Sequence, residues 1–196
     1  MIAYLDGKIS FKSPTHIFLD IGGIAYDVQI SLNTFAAIEE LDKVKLFTHL
    51  IVRDDHHALY GFFTGEEKAL FVKLLSVSGI GPNTARVILS YMTPNEARSA
   101  ILTDNVPAFK KVKGVGPKTA QRIILDLKDK IAKDSPESAN TQNLTSQTIR
   151  DEAISALIAL GFQKSMVSKQ VDKVLSQDQN IEQVETLIKS VLRQLS

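Results

Sequence analysis

The chain has 196 residues, of which 44% are hydrophobic and 23% are charged, as in ordinary soluble globular proteins. It contains no cysteine, which excludes disulfides and thiolate chemistry and fits a reducing cytoplasm. No apolar run is long enough for a transmembrane segment, and the N-terminus lacks the apolar core of a signal peptide. The net charge of +1 conceals an asymmetry, because residues 65–133 contain 12 Lys and Arg against 6 Asp and Glu. A basic segment of this kind favours a polyanionic partner.

Residues 1–64 contain short runs that are typical of β-strands, at about 1–10, 17–21, 24–31, 44–52 and 58–63. Gly22-Gly23 separates two of these runs and indicates a tight hairpin turn. The segment 33–41 predicts one short helix with Asn33 as its N-cap. Five or six short strands with one helix predict a small barrel of the OB type.

Asp54-Asp55-His56-His57 lies between the last two of these strands and has three interpretations. Asp is a favoured turn residue, which explains the pair without any function. A metal cluster is a second interpretation, but neighbouring residues on a strand point to opposite faces, so that at most two of the four converge. A negatively charged hairpin tip that repels phosphates is the third.

The most informative pattern is Val-x-Gly-x-Gly-Pro-x-Thr-Ala, which begins at Val77 and again at Val112. In each copy a helical run meets a glycine suited to the left-handed residue after a helix end. A proline stands three residues after that glycine, at a position where it can start the next helix. The second copy also resembles the end of a nucleotide-binding P-loop, but Val112 and Pro117 stand where that loop needs glycine. The pattern therefore predicts a tandem helix–hairpin–helix and no ATP site.

Each predicted hairpin exposes backbone N–H groups at the positive end of a helix dipole, which is an anion site. Well-capped hairpins without a ligand are the alternative for one copy, and the matched second copy favours phosphate binding. The predicted DNA contacts are Gly79, Ile80, Gly81, Asn83 and Thr84 in the first copy, and Gly114, Val115, Gly116, Lys118, Thr119 and Arg122 in the second. Because Asn83 is uncharged, we expect the loss of Lys118 to weaken binding more than a change of Asn83.

Helical patterns continue on both sides of a polar stretch. Thr93-Pro94-Asn95-Glu96 predicts a capped helix start, and the helix from Pro117 to about residue 131 carries Ile124, Leu127 and Ile131 on an apolar stripe. Residues 134–147 are polar and predict a flexible linker. Three helices follow at about 149–160, 164–175 and 181–195, the first ended by Gly161, and they resemble a ubiquitin-associated-like module. Such modules bind partners through residues that correspond to Leu157, Leu160 and Phe162, although each of these is also a candidate core residue.

The whole chain resembles the RuvA family, the DNA-binding subunit of the RuvAB Holliday-junction branch-migration complex. The resemblance rests on Phe47-Thr48-His49 with Val52-Arg53-Asp54-Asp55, on Leu59-Tyr60-Gly61-Phe62, on the two hairpins, and on Glu152-Ala153 with Ala156-Leu157 and Ala159-Leu160-Gly161-Phe162. It implies a multidomain α+β protein: an OB-like barrel (1–64), a tandem helix–hairpin–helix domain (65–133), a linker (134–147) and a three-helix partner-binding domain (148–196).

The resemblance also implies a function and partners. Asp54 and Asp55 would be the family's acidic pin at the crossover of a four-way junction. Four or eight copies would assemble as a homotetramer or double tetramer, the tail would dock a RuvB-type hexameric ATPase, and a junction resolvase is a further partner. The protein would act in recombination and repair without catalysis, cofactor or metal of its own. The chain departs from the family at Asn83, where a basic residue is common, and His56 and His57 beside the pin would reduce its negative charge as the pH falls.

Two other function classes remain open at this stage. Tandem hairpins also occur in repair nucleases and their accessory subunits, for which Mg²⁺-dependent cleavage that requires Asp54 would be diagnostic. A plain interaction scaffold with structural hairpins would bind no branched DNA.

Overall fold

A computed structural model describes residues 2–54, 57–132, 144–177 and 183–195 of the chain. These residues form two compact units, Met1–Asp134 and Ser135–Ser196. Within the described ranges, no helix has the length and apolar character needed to cross a membrane.

Five strands form a closed barrel in the first unit: β1 (Tyr4–Lys12), β2 (His16–Asp20), β3 (Ala25–Ile30), β4 (Lys43–Val52) and β5 (His57–Phe62). Their order around the barrel is β1-β2-β3-β5-β4, with β4 pairing back to β1, and only the β3–β5 pair is parallel. Alternate residues such as Ile17, Leu19 and Leu46 fill the interior. Closure pairs every strand on both sides and so leaves no free edge. The predicted barrel is confirmed, with five strands.

The turn between β2 and β3 forms as predicted at Gly22 and Gly23. The carboxylate Oδ1 of Asp20 accepts both glycine N–H groups at 2.9 Å. The N–H groups of Gly23 and Gly22 also lower the pKa of Asp20, because they stabilise its charged form.

The barrel contains one short helix, α1 (Leu32–Ala37), which is shorter than the helix predicted over residues 33–41. Its N-cap is Ser31, whose Oγ accepts the N–H of Thr34 at 3.0 Å, and not Asn33. The amide of Asn33 instead donates to the backbone carbonyl of Met92 at 3.0 Å, at the C-terminal cap of a helix distant in the chain. That tertiary partner explains the error, since a local pattern contains no information about it.

Five helices follow in the same unit: α2 (Gly65–Leu75), α3 (Pro82–Tyr91), α4 (Pro94–Leu102), α5 (Val106–Lys110) and α6 (Pro117–Ala132). The capping box at Thr93 is confirmed, with reciprocal bonds to Glu96 of 2.8 and 3.3 Å. The stripe of Ile124, Leu127 and Ile131 is buried as predicted. Helix α5 is the helix that the second motif predicts before Gly114, for which the sequence predicted no bounds.

The barrel interior and the helices have separate hydrophobic cores, and strand β5 joins the barrel to the core of the helices through Tyr60 and Phe62. Phe71 of α2 is fully buried, and its ring lies 4.8 Å from that of Phe62 and 5.1 Å from that of Tyr60, both on β5. The edge of His49 on β4 contacts the same ring at 5.8 Å. Aromatic contacts at these distances stabilise the fold beyond the burial of their surface. The first hairpin is therefore attached directly to the barrel wall.

The second unit consists of α7 (Leu144–Ala159), α8 (Lys164–Gln177) and α9 (Val184–Leu195) around a core of their own. Arg150 on α7 makes two bonds of 2.6 and 3.1 Å to Asp172 on α8, which join the two helices. The predicted linker is wrong for residues 144–147, which belong to α7, and residues 134–143 lie outside the described ranges. Polar composition misled the prediction because the first turn of α7 carries few apolar residues.

Candidate nucleic-acid interface

The two glycine motifs adopt the same backbone. Gly79 has φ of 90° and Gly114 has φ of 89°, a region that side chains avoid. Helix α2 ends at Leu75 with Ser76 as its C-cap, so that Gly79 lies in the turn after the helix and not directly at its end as predicted. In the first copy the N–H of Ile80 donates to the carbonyl of Val77 at 3.1 Å, and in the second Val115 donates to Val112 at 3.0 Å. The predicted repeat of two helix–hairpin–helix motifs is confirmed at this level.

The apolar residues of each motif point inward. Val77 and Ile80 in the first copy, and Val112 and Val115 in the second, are buried in the helical core. Ile80 and Val115 were predicted as DNA contacts, and their side chains are unavailable to any external ligand. Only the backbone of these two residues lies at the loop surface, held there by the buried side chains.

Neither the backbone angles nor the surrounding atoms of the described chain require glycine at Gly81 and Gly116. Gly81 has φ of −90° and ψ of 171°, which any residue adopts, and Gly116 is not among the residues of positive φ. A Cβ built on either glycine would meet no atom within 4 Å. The space before both helices is open, as close approach of an external backbone or phosphate requires.

The start of α3 differs from the other helix starts whose caps are described. Helices α1, α2, α4 and α5 are capped by side chains that accept an N–H group of the first turn, namely those of Ser31, Thr64, Thr93 and Asn105. The cap of α3 is Gly81, and no side chain accepts the N–H groups of its first turn. Gly116 precedes Pro117 of α6 in the same way, and Gly81 and Gly116 accept matched bonds from Ala85 and Ala120 at 3.0 and 2.9 Å. Both sites present amides suited to an anion.

The predicted polar side chains of the second copy lie together on the first two turns of α6. Lys118 and Arg122 are exposed, and Thr119 is half-buried. Arg122 lies 3.8 Å from Asp126, a weak surface pair that leaves its guanidinium accessible. These three residues follow the second glycine loop directly in the chain, and their contacts with DNA stay a prediction.

Asn83 in the first copy has a different environment. Its Oδ1 accepts a bond of 3.2 Å from Arg86, and the same guanidinium donates to Gln29 at 3.2 Å and to the carbonyl of Thr15 at 2.8 Å. Arg86 thus joins the first turn of α3 to the barrel. The expected difference between Lys118 and Asn83 in DNA binding stays a prediction.

A cation that the sequence analysis missed lies beside the first hairpin. Lys130, in the last turn of α6, places its Nζ 3.2 Å from Oγ of Ser76, which caps the end of α2. Lys73 is a basic residue in the last turn of the same helix α2. No sequence signal identifies Lys130, because its position depends on how α6 packs across α2.

The acidic tip is only partly described. Asp54 is exposed immediately after β4, whose last residue Val52 pairs with His57 at the start of β5. Asp55 and His56 lie outside the described residues, and the interpretation of this turn as a metal site therefore lies outside them too. Among the residues described, no three His, Asp or Glu side chains come together as metal ligands would.

The three predicted partner-binding residues of the tail differ in exposure. Leu157 is fully buried and belongs to the core of the second unit, whereas Leu160 is 61% exposed. Phe162 is half-buried against that core, and its N–H donates to the carbonyl of Leu157 at 3.2 Å. Exposed Ile158 and Met166, which the prediction missed, accompany Leu160 as apolar surface. Gly161 ends this helix with φ of 97°, as predicted.

Comparison with known proteins matches three segments of the chain to family models. The family model described as "RuvA N terminal domain" matches residues 1–61, "SAM-like Helix-hairpin-helix tandem" matches 71–129, and "RuvA, C-terminal domain" matches 148–196. The chain is 44% identical over 197 residues to a Cytophaga hutchinsonii protein, covering 98% of this chain and 99% of that protein. It is 45% identical to a Flavobacterium psychrophilum protein over the full length of both. Both relatives are named "Holliday junction branch migration complex subunit RuvA". The matched segments and these full-length similarities show that the chain belongs to the RuvA family.

Proposed function

We propose that this protein binds four-way DNA junctions by their structure rather than their sequence, and that it recruits a RuvB-type ATPase for branch migration in recombination and repair. The observation that carries the proposal is the pair of matched hairpins, each with an open glycine before a helix N-terminus. The basic composition of residues 65–133 and the names of the full-length relatives support it.

Each hairpin contacts the phosphates of one strand of a duplex arm. The backbone at Gly79–Gly81 binds one phosphate through its amides, and the backbone at Gly114–Gly116 binds another. Lys118, Thr119 and Arg122 add side-chain contacts at the second hairpin, and Lys130 supplies positive charge beside the first. Phosphate contacts set position and orientation without reading bases, so that junctions of any sequence are bound.

The protein itself performs no catalysis in this proposal. ATP hydrolysis belongs to a hexameric motor that docks on the tail, through the apolar surface of Leu160, Phe162, Ile158 and Met166. Four copies form a homotetramer, or eight a double tetramer, so that hairpins cover all four arms of the junction. A junction resolvase is a further partner, and the protein acts in the cytoplasm, where the DNA substrate and the motor are found.

The experiment that tests this function compares a four-way junction with a linear duplex of the same sequence and length. We expect the junction to bind at least about tenfold more tightly, since only the junction engages all subunits at once. Equilibrium binding with mass determination on the same sample measures affinity and assembly together. Equal affinity for both DNAs, or cleavage of the junction in Mg²⁺, would remove the proposal.

Asp54 and Asp55 act in this proposal by repelling phosphates at the crossover. Replacing both by Asn should therefore preserve junction affinity or raise it by up to about threefold, because two unfavourable charges are removed. Branch migration with the motor should change at the same time. Gel-shift titrations and strand-exchange rates measure the two effects.

A matched control for this pair is the double change Glu39→Gln and Glu40→Gln, at two adjacent exposed carboxylates elsewhere on the barrel. It removes the same charge and should leave migration unchanged. Loss of binding to junction and linear DNA alike in the Asp54→Asn, Asp55→Asn variant would show that the carboxylates do not act by repulsion.

A further inference from the structure

Glu67, in the first turn of α2, is a buried carboxylate between the barrel and the first hairpin. It is 3% exposed. Burial raises the pKa of Glu67, while hydrogen bonds from Ser31 and Thr34 act in the opposite direction. The burial of such a group without a role in a ligand site is unusual enough to require an explanation.

Both oxygens of this carboxylate bind hydroxyl groups of the barrel's helix α1. Oγ of Ser31 donates to one oxygen, and Oγ1 of Thr34 donates to the other at 2.7 Å. The two hydroxyls are themselves acceptors, because Ser31 accepts the N–H of Thr34 at 3.0 Å and Thr34 accepts the N–H of Phe63 at 3.1 Å. Throughout the described part of the chain, every buried side-chain polar atom has a partner. The hydrogen-bonding groups of Glu67, Ser31 and Thr34 therefore all have partners within this network.

Helix α1 also holds the end of α3. The N–H of Leu32 donates to Oγ of Ser90 at 3.0 Å, and Asn33 donates to the carbonyls of Leu89 and Met92. Helices α2 and α3 are the two arms of the first hairpin. One short helix of the barrel is therefore bonded to the start of one arm and to the end of the other.

We infer that Glu67 is a positioning residue, which fixes the first hairpin relative to the barrel and thereby sets the selectivity of the protein for four-way over linear DNA. This inference rests on the proposed function. Phosphate binding at one hairpin is local and needs no barrel. Recognition of a crossover needs the hairpin and the barrel's tip at Asp54 in one fixed arrangement, and directional hydrogen bonds fix an arrangement more closely than apolar packing does.

The binding test uses Glu67→Gln and Thr34→Val, with Thr34→Ser as the matched control. Thr34→Val preserves the shape of the side chain and removes the hydroxyl, whereas Thr34→Ser retains the hydroxyl. We expect the first two variants to lower the ratio of junction to linear affinity by about threefold to tenfold, with linear affinity within about twofold of wild type. Thr34→Ser should retain the wild-type ratio. An unchanged ratio in folded Glu67→Gln and Thr34→Val variants, or an equal loss of both affinities, would overturn the inference.

A second measurement decides the positioning role without DNA. The chain has no cysteine, so that Lys43→Cys on the barrel and Ser78→Cys in the first hairpin loop give one pair of spin labels in each subunit. Dilution with unlabelled protein of the same variant, without the two cysteines, keeps the measured distance within one subunit. The distance distribution between the labels should broaden in Glu67→Gln and Thr34→Val and stay narrow in Thr34→Ser. Identical distributions in all variants would overturn the inference. If the wild-type protein bound junctions and linear DNA equally well, the proposed function would be contradicted. The distances between the labels would still show whether Glu67 positions the first hairpin.

Discussion

The Gly81→Ser and Gly116→Ser substitutions together are expected to weaken junction binding by at least about tenfold while leaving the fold as stable as before. Serine is a favoured N-cap, and its hydroxyl would accept the N–H of the third helical residue, Thr84 or Thr119. That bond consumes an amide that is open to phosphate in the wild type. A hydrogen bond to a charged group contributes about 1.5–3 kcal/mol, and about 1.4 kcal/mol corresponds to tenfold in affinity.

Stability should not fall, because a Cβ at either position meets no atom within 4 Å. Thermal unfolding of the double variant should match the wild type or exceed it by a few tenths of a kcal/mol. The control is Gly65→Ser, at the first residue of α2, where a Cβ also meets nothing within 4 Å. It should bind the junction within about twofold of wild type. Undiminished binding by the double variant would contradict the role of the open amides.

Junction affinity is expected to fall steeply with salt and to be almost independent of DNA sequence. Phosphates neutralised by lysine and arginine release condensed counterions, and a protein with about 6–10 such contacts loses roughly 10³–10⁵-fold in affinity between about 50 and 200 mM salt. The excess of Lys and Arg in residues 65–133 supplies charges for contacts of this kind. Titrations at several salt concentrations give the slope directly.

The same titrations with a junction of permuted sequence are the control for base readout. Affinity should change by less than about threefold between sequences at one salt concentration, since contacts to phosphate carry no sequence information. A flat salt dependence would contradict binding through phosphates. Strong sequence dependence would indicate base contacts, which the hairpin backbone cannot make.

Local patterns predicted those elements whose structure depends on neighbouring residues in the chain. The repeated motif at Val77 and Val112 requires left-handed glycines and helix-starting prolines, and the backbone angles at Gly79 and Gly114 agree with it. The capping box at Thr93 and the turn at Gly22-Gly23 are equally local. In each case the interacting groups are within a few residues of one another, so that the sequence contains the whole interaction.

The errors arose where a distant contact decides the outcome. Asn33 has the composition of an N-cap, but Ser31 takes that position because the Asn33 amide binds the end of α3. For Leu157 the sequence left two alternatives open, a partner contact and a core residue, and packing among the three helices places it in the core. Helical periodicity indicates which residues share a face and leaves open which face is covered.

Local sequence patterns were sufficient to predict the two helix–hairpin–helix motifs, the barrel and the three helices of the tail, because backbone conformation and alternation of apolar residues are local properties. How the hairpins pack against the barrel within the first unit followed from the tertiary structure alone. That structure places Lys130 of α6 beside the end of α2 in the first hairpin, although α3, α4 and α5 separate the two helices in the chain. It also buries Glu67 between α1 and α2. Both positions depend on how separate elements pack, and packing is determined by surfaces that come together only after the chain has folded.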